Sequence, residues 1–146
     1  MALHARVHPR TRLLLAALLP ALATAVMLIP PLFGTTGPGP GRSLALFWLL
    51  VFVVSAPMVA FVVNWHWPAA TTANRAFLAA LPQPVVVPLM LWLAVSLDIQ
   101  RGNLVRDTSE EAMTSGFATV GGLLIGLILM ILVAVGGQLG ARLVDR

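Results

Sequence analysis

Residues 117–141 read FATVGGLLIGLILMILVAVGGQLGA and decide the fold class of this chain. The stretch contains no charged residue, and eight Leu or Ile residues lie between Thr119 and Gly137. A helix needs about 20 consecutive, mainly apolar residues to cross the hydrocarbon core of a bilayer. The stretch is therefore predicted to form a transmembrane helix.

Three other regions share this property. Residues 13–41, 43–74 and 76–97 are free of Asp, Glu, Lys and Arg, and each is long enough for one span but not for two with a loop. The sequence predicts an all-α, polytopic membrane protein with four transmembrane helices and one membrane domain over residues 1–146. The predicted spans are about 12–33, 43–65, 76–98 and 117–140. The Gly- and Pro-rich residues 34–41 are predicted to form the first turn.

The composition agrees with this class and excludes others. Hydrophobic residues make up 59% of the chain and charged residues 10%, whereas soluble domains carry about 25% charged residues. There is no Cys, which excludes disulfides and thiol chemistry. The net charge of +4 comes from Arg residues that flank the spans and meet lipid headgroups, so nucleic-acid binding is not expected. Use of Arg without Lys is typical of a GC-rich bacterial genome.

The Arg residues also predict the orientation in the bacterial cytoplasmic membrane. Basic residues are enriched in cytoplasmic connections. A cytoplasmic N-terminus puts six Arg residues on the cytoplasmic side and three outside, so both termini are predicted to be cytoplasmic. The cytoplasmic set is Arg6, Arg10, Arg12, Arg75, Arg142 and Arg146; the outer set is Arg42, Arg101 and Arg106.

A cleaved signal peptide is the alternative reading of the first span. The apolar run Leu13–Phe33 has 21 residues, whereas signal peptides have apolar regions of about 7–15. A retained helix is expected, and a mature N-terminus near residue 26 would contradict it.

Four glycines of the last span form one face. Gly122, Gly126, Gly136 and Gly140 lie within about 40° of a line along an ideal helix, as two Gly-x-x-x-Gly pairs. Small residues allow close approach of two helix backbones in a membrane. The face is predicted to pack against the other helices of the chain or, alternatively, against a second copy or a membrane-protein partner.

The third span contains helix-breaking residues beside a polar side chain, namely Pro82, Gln83, Pro84 and Pro88. Proline removes a backbone hydrogen bond and restricts the residue before it, so a kink or a break is expected. Broken helices beside polar groups form substrate sites in some transporters. A tolerated kink is the other interpretation.

Other polar residues give weaker indications. His4 and His8 have helical metal-ligand spacing but no third ligand, and no His lies deep in a span to hold a haem. Residues 98–111, which include Arg101, Arg106, Glu110 and Glu111, are predicted to be mainly a solvated outer loop. Within it, Thr108-Ser109-Glu110-Glu111 is suited to cap the entry to the last helix. No metal, cofactor or enzymatic activity is predicted. The size resembles the small multidrug exporters, but Leu13–Phe33 lacks the buried carboxylate on which those proteins depend.

Two patterns indicate a repeated unit. Arg12–Leu18 matches Arg75–Leu81 at an offset of 63 residues, which indicates two helical hairpins in tandem. The alternative is a chance match between two segments rich in Leu and Ala. An apolar helix, a Gly-rich turn and a Trp-containing helix with an internal Pro (Trp48 to Pro57) resemble small bacterial inner-membrane proteins of unknown function built on a two-helix unit. The resemblance covers about residues 12–65 and, more weakly, 75–140, and it implies no activity.

These observations favour two functions. The first is a non-catalytic accessory or assembly subunit that associates with itself or with another membrane protein through the Gly-rich last helix. The alternative is a small oligomeric transporter or channel that uses the Pro-broken third helix.

Overall fold

The structure is a computed structural model that describes residues 8–33 and 42–144, with side chains for residues 8–29 and 49–144. The predicted turn at 34–41 and the basic residues before His8 lie outside the described residues. Within these ranges the chain forms helices joined by short connections. They are α1 (Pro9–Phe33), α2 (Arg42–His66), α3 (Ala73–Ala80), α4 (Gln83–Gln100), α5 (Ser109–Gly116) and α6 (Gly122–Val144).

Four segments are long and apolar enough to cross a membrane, which confirms the predicted fold class and span count. Two of them combine consecutive helices: α3 with α4, and α5 with α6 through one π-helical segment, Phe117–Gly121. The four segments are Pro9–Ile29, Leu49–His66, Ala73–Gln100 and Ser109–Val144.

The four spans form a bundle in which each packs against two neighbours. The first span contacts α2 on one side and α3 and α4 on the other, and α6 also contacts α2 on one side and α3 and α4 on the other. Gly136 and Gly140 face Pro57 and Phe61 in the same chain order, so α6 runs parallel to α2. The opposite order on α4 makes that pair antiparallel. The chain therefore crosses in alternating directions.

Small residues form much of the interior, and large apolar side chains point outward. One buried cluster consists mainly of alanines from α2, α3 and α6, and Leu, Ile, Val and Phe side chains are exposed along every span. In lipid this costs nothing, because acyl chains are as apolar as leucine, and small residues let the helices approach closely. The cluster contains Ala56, Ala60, Ala70, Ala76, Ala80, Val133 and Ala134.

The last helix begins earlier than predicted. It starts at Ser109, inside the stretch that was predicted to be mainly an exposed loop, and continues for 36 residues. The predicted cap at Thr108 explains this start: its Oγ1 accepts the N–H of Glu111 at 3.3 Å. Glu111 also reaches back, because its Oε2 accepts the N–H of Asp107 at 2.7 Å. Acidic side chains in the first turn stabilise the helix dipole, so polar residues extend the helix here.

Candidate functional site

The two glycines in the first half of α6 lie against the prolines of α4. A Cβ atom built on Gly126 would be 2.6 Å from the Cα of Pro84, and one on Gly122 would be 2.9 Å from the Cα of Pro88. The two glycines are four residues apart, and so are the two prolines, so that each glycine lies against one proline. We call this contact the α4 notch.

The two glycines in the second half of α6 lie against α2. A Cβ on Gly136 would be 2.6 Å from the carbonyl oxygen of Pro57, and the carbonyl oxygen of Phe61 occupies the corresponding position at Gly140. The Hα atoms there point at carbonyl oxygens, as in the weak Cα–H···O contacts found between helices. We call this contact the α2 notch.

All four predicted glycines are therefore placed against helices of the same chain. Packing within the bundle accounts for the glycine face. Any contact between α6 and a second copy or a partner has to use other residues. Gly122 and Gly126 contact Pro88 and Pro84, so these glycines and prolines, which were predicted separately, are two sides of the same contact.

The break in the third span lies at Leu81 and Pro82, between α3 and α4. Gln83 follows it and is 1% exposed. The hydroxyl Oγ1 of Thr24, on α1, lies 2.8 Å from Oε1 of Gln83 and 3.1 Å from the carbonyl oxygen of Pro20. Since a hydroxyl has one proton, it donates to one of these acceptors at a time. The predicted polar residue at the break is thus held inside the bundle by α1.

Asn64, near the end of α2, is the other buried amide. Its Nδ2 donates to the carbonyl oxygen of Ala60 at 2.9 Å, and its Oδ1 accepts the N–H groups of Ala69 and Ala70 at 3.1 and 2.8 Å. These bonds fold the connection after α2 back onto the helix. Gly137 of α6 packs over this side chain, with a Cβ position 3.1 Å from Nδ2.

A crevice opens at the end of the bundle where α1 and α3 begin and α2 and α6 end. It consists of two adjacent pockets of about 540 and 330 Å³, which we call its lobes, and both are lined by Arg12 and Pro68. We call it the basic crevice. The larger lobe is also lined by Trp65, His66, Trp67, Leu143 and Val144. The smaller lobe is also lined by Pro9, Arg10, Leu13, Ala69 and Arg75.

Local structure fixes the walls of the basic crevice. Pro68, which both lobes share, belongs to the connection that Asn64 holds in place. Arg75 lies in the first turn of α3, whose N-cap is Thr72, with Oγ1 accepting the N–H of Arg75 at 3.4 Å. His66 Nδ1 lies 3.0 Å from the carbonyl oxygen of Val62, an acceptor for an N–H of the ring.

The offset of 63 residues also has a counterpart here. Arg12 and Arg75 are equivalent positions of the matching segments, and both line the smaller lobe. Ala16 and Ala79, the next equivalent pair, belong to one buried cluster. The matching segments thus start side by side at one end of the bundle. A complete repeat of two hairpins stays a prediction.

Metal-ligating residues give no cluster in the described residues: no group of three His, Cys, Asp or Glu side chains is close enough to hold an ion. His4 lies outside these residues, and His8 is exposed at the start of α1. His66 lies in the basic crevice, beside the Trp67 ring at a centroid distance of 6.2 Å.

Three features of the structure were not predicted from the sequence. The Gly–Pro pairing had a signal, since Pro84–Pro88 and Pro57–Phe61 repeat the four-residue spacing of the glycines. The sequence also contained a signal for the convergence of Arg12 and Arg75, namely the match at an offset of 63 residues. The π-helical segment had none that we recognise. Its Thr119 accepts a hydrogen bond from Trp92 Nε1 at 3.2 Å.

Comparison with protein-family models, with curated proteins and with solved structures found no match. The fold and its apolar spans define the class: the chain is a multi-pass α-helical membrane protein. Its function has to be inferred from the geometry of its own residues.

Proposed function

We propose that the chain is a non-catalytic accessory or assembly subunit of a complex in the bacterial cytoplasmic membrane. The observation that carries this proposal is that the polar groups inside the bundle are used by the chain itself. In the described part of the chain, every fully buried side-chain nitrogen and oxygen has a hydrogen-bond partner. Three polar side chains there are buried, Thr24, Asn64 and Gln83. A bundle of this kind stabilises a fixed shape and offers these groups to no solute.

The proposed orientation has both termini in the cytoplasm. Arg10, Arg12, Arg75 and Arg142 lie at the same end of the bundle as the basic crevice, and Arg101 and Arg106 lie at the other. The positive-inside rule favours the first end as the cytoplasmic one.

The surface proposed for a partner is α5. Gly122 lies against Pro88 of the antiparallel α4, so the start of α5 is about level with the end of α4. Gly136 lies against Pro57 of the parallel α2, so α5 extends past Arg42, the first residue of α2. None of the α5 residues is buried, and Met113 is 77% exposed, with Phe117 one turn further on at 60%. Large apolar side chains exposed at this end of the last helix favour a protein contact.

The alternative is a small oligomeric transporter or channel that uses the break in the third span. Gln83 is the polar group that such a function would use, and the amide lies against Thr24 inside the bundle. Transport through this site would require α1 and α4 to separate. The accessory role needs no such movement, and we therefore prefer it.

Native mass spectrometry of the protein isolated from its own membrane tests the proposal. The expected result is a complex of defined stoichiometry with another membrane protein. Met113→Ser should weaken that complex, because it removes an apolar side chain from the proposed contact. Ala112→Ser, at an exposed position next to it, is the matched control and should leave the complex intact.

A liposome flux assay distinguishes the transporter or channel from the accessory role. Solute flux by the purified protein that is lost in Gln83→Leu would support the transporter and contradict the accessory role. Native mass spectrometry that finds only a homo-oligomer at natural abundance, without other polypeptides, would also argue against an accessory subunit.

A further inference from the structure

We infer that the basic crevice binds the phosphate of an anionic lipid headgroup in the membrane leaflet at that end of the bundle. This inference goes beyond the proposed assembly role and does not depend on it. Three Arg side chains line the crevice, and none of its lining residues in the described part of the chain is acidic. An anion is therefore the complementary ligand.

The helix ends add to the positive potential. Both α1 and α3 begin at the crevice, and neither has an acidic residue in its first turn. The N-terminal end of a helix carries a partial positive charge, so an anion near Arg10 and Arg75, in the first turns of α1 and α3, is favourable. In contrast, α5 at the other end has Glu110 and Glu111 in its first turn.

The apolar walls distinguish a lipid from a soluble anion. Leu143, Val144 and Trp65 line the larger lobe, and all three are exposed. These residues end the spans, so the lobe lies where the hydrocarbon core meets the headgroups, a depth at which Trp residues are enriched. An acyl chain can continue from the lobe along the exposed apolar surface of the bundle. Basic pockets between transmembrane helices bind anionic headgroups in this way.

The crevice is a fixed feature of the fold. Pro68 lies between the lobes, and the connection that carries it is held by the two bonds to Asn64 Oδ1. The volumes, about 540 and 330 Å³, are within the range of ordinary ligand sites. The Arg side chains supply paired donors that fit phosphate oxygens.

Lipid binding is tested on the full chain in nanodiscs of phosphatidylcholine alone or with an equal part of phosphatidylglycerol. Native mass spectrometry after release should find phosphatidylglycerol retained in preference to phosphatidylcholine. The double variant Arg10→Gln/Arg75→Gln should lower that affinity about 30-fold, at about 1 kcal/mol for each Arg. Arg101→Gln/Arg106→Gln removes the same charge at the other end and should retain the lipid.

A second measurement uses the unchanged crevice. With Trp48 and Trp92 replaced by Phe, the remaining Trp65 and Trp67 report on the larger lobe. Phosphatidylglycerol with brominated acyl chains should quench their fluorescence more strongly than brominated phosphatidylcholine. Equal quenching by both lipids would overturn the inference, as would an equal loss of lipid in the two double variants.

Inorganic phosphate distinguishes the two sources of the ligand. In phosphatidylcholine nanodiscs it should neither change the fluorescence of Trp65 and Trp67 nor displace bound phosphatidylglycerol. If it does either through Arg10 and Arg75, the crevice is a site for a soluble phosphate compound, and the lipid assignment is wrong.

Discussion

The two notches of α6 have the same sequence pattern but meet different kinds of surface. In the α2 notch, Gly136 and Gly140 meet only backbone atoms of a continuous helix. In the α4 notch, Gly122 meets the side chains of Pro88 and Leu91 as well as backbone, and Gly126 lies next to the break in the third span. Side chains and a helix end can shift, whereas the middle of a helix cannot without moving the whole span. Replacing a glycine in the α2 notch should therefore destabilise the protein more than replacing one in the α4 notch.

The largest expected effect is that of Gly140→Ala. The new methyl group would clash with the Phe61 carbonyl oxygen, so α2 and α6 must separate. Overpacking of this kind costs about 3 kcal/mol. The free energy of unfolding in bicelles, measured by steric trapping, should fall by that amount. An unchanged stability would contradict the close approach of the two helices.

Gly126→Ala should have the next largest effect, about 2 kcal/mol. Its methyl group would meet backbone atoms of Gln83 and Pro84 at 2.6–3.1 Å, at the start of α4. Gly122→Ala should cost about 1 kcal/mol, because its nearest backbone atom, the Cα of Pro88, is at 2.9 Å and has to shift less than the 2.6 Å contact at Gly126. The same unfolding measurement on both variants tests the order, and a larger loss for Gly122→Ala than for Gly126→Ala would contradict it.

Each notch has a buried amide side chain beside it, Asn64 at the α2 notch and Gln83 at the α4 notch. As with the glycines, the substitution at the α2 notch should lower the unfolding free energy more than the one at the α4 notch. Asn64→Leu removes three hydrogen bonds and leaves the N–H groups of Ala69 and Ala70 without their acceptor. The expected loss in unfolding free energy is about 2 kcal/mol. It should be accompanied by faster proteolysis of the connection after His66, and unchanged proteolysis would show that Asn64 does not hold it.

Gln83→Leu should cost less than Asn64→Leu. Thr24 retains the carbonyl oxygen of Pro20 as an acceptor, and hydrogen bonds between transmembrane helices average about 0.6 kcal/mol. Leucine also fills most of the volume of glutamine. A loss above about 2 kcal/mol would show that the amide does more than join α1 to α4.

The smallest effect has the opposite sign and serves as the control for all glycine variants. A Cβ on Gly116 meets no atom within 4 Å, and the residue is helical and exposed. Gly116→Ala should therefore raise the unfolding free energy by up to about 1 kcal/mol, the difference in helix propensity. A loss of stability would indicate that glycine is needed there for a reason outside the bundle.

Much of the fold could be predicted because membrane insertion depends on local composition. The charge-free runs give four spans, and the Thr108 cap gives an end of one helix. The partners of the glycine face could not be assigned, since a pattern on one helix does not say which other helix meets it. For the same reason Gln83 was recognised as polar and embedded, but its contact with Thr24, 59 residues away, required the structure.

The basic crevice shows the same limit. Arg10, Arg12 and Arg75 were assigned to one side of the membrane by counting, which treats each charge separately. Counting does not place α1 beside α3, and it does not fold Pro68 between them. The crevice depends on the bonds of Asn64, a residue whose position near a span edge gave no sign of that role.

The glycines on α6 have a consequence for biosynthesis. Translation delivers α6 after α1, α2, α3 and α4, so the first three spans enter the membrane before either notch can form. During this interval the surfaces around Pro57 and Pro84 face lipid, and helices in a bilayer associate only after each has inserted. The bundle closes when α6 arrives and contacts both sides at once. Insertion of the last span therefore completes the packing of the whole bundle. An insertion factor that shields the first three spans would act before this step.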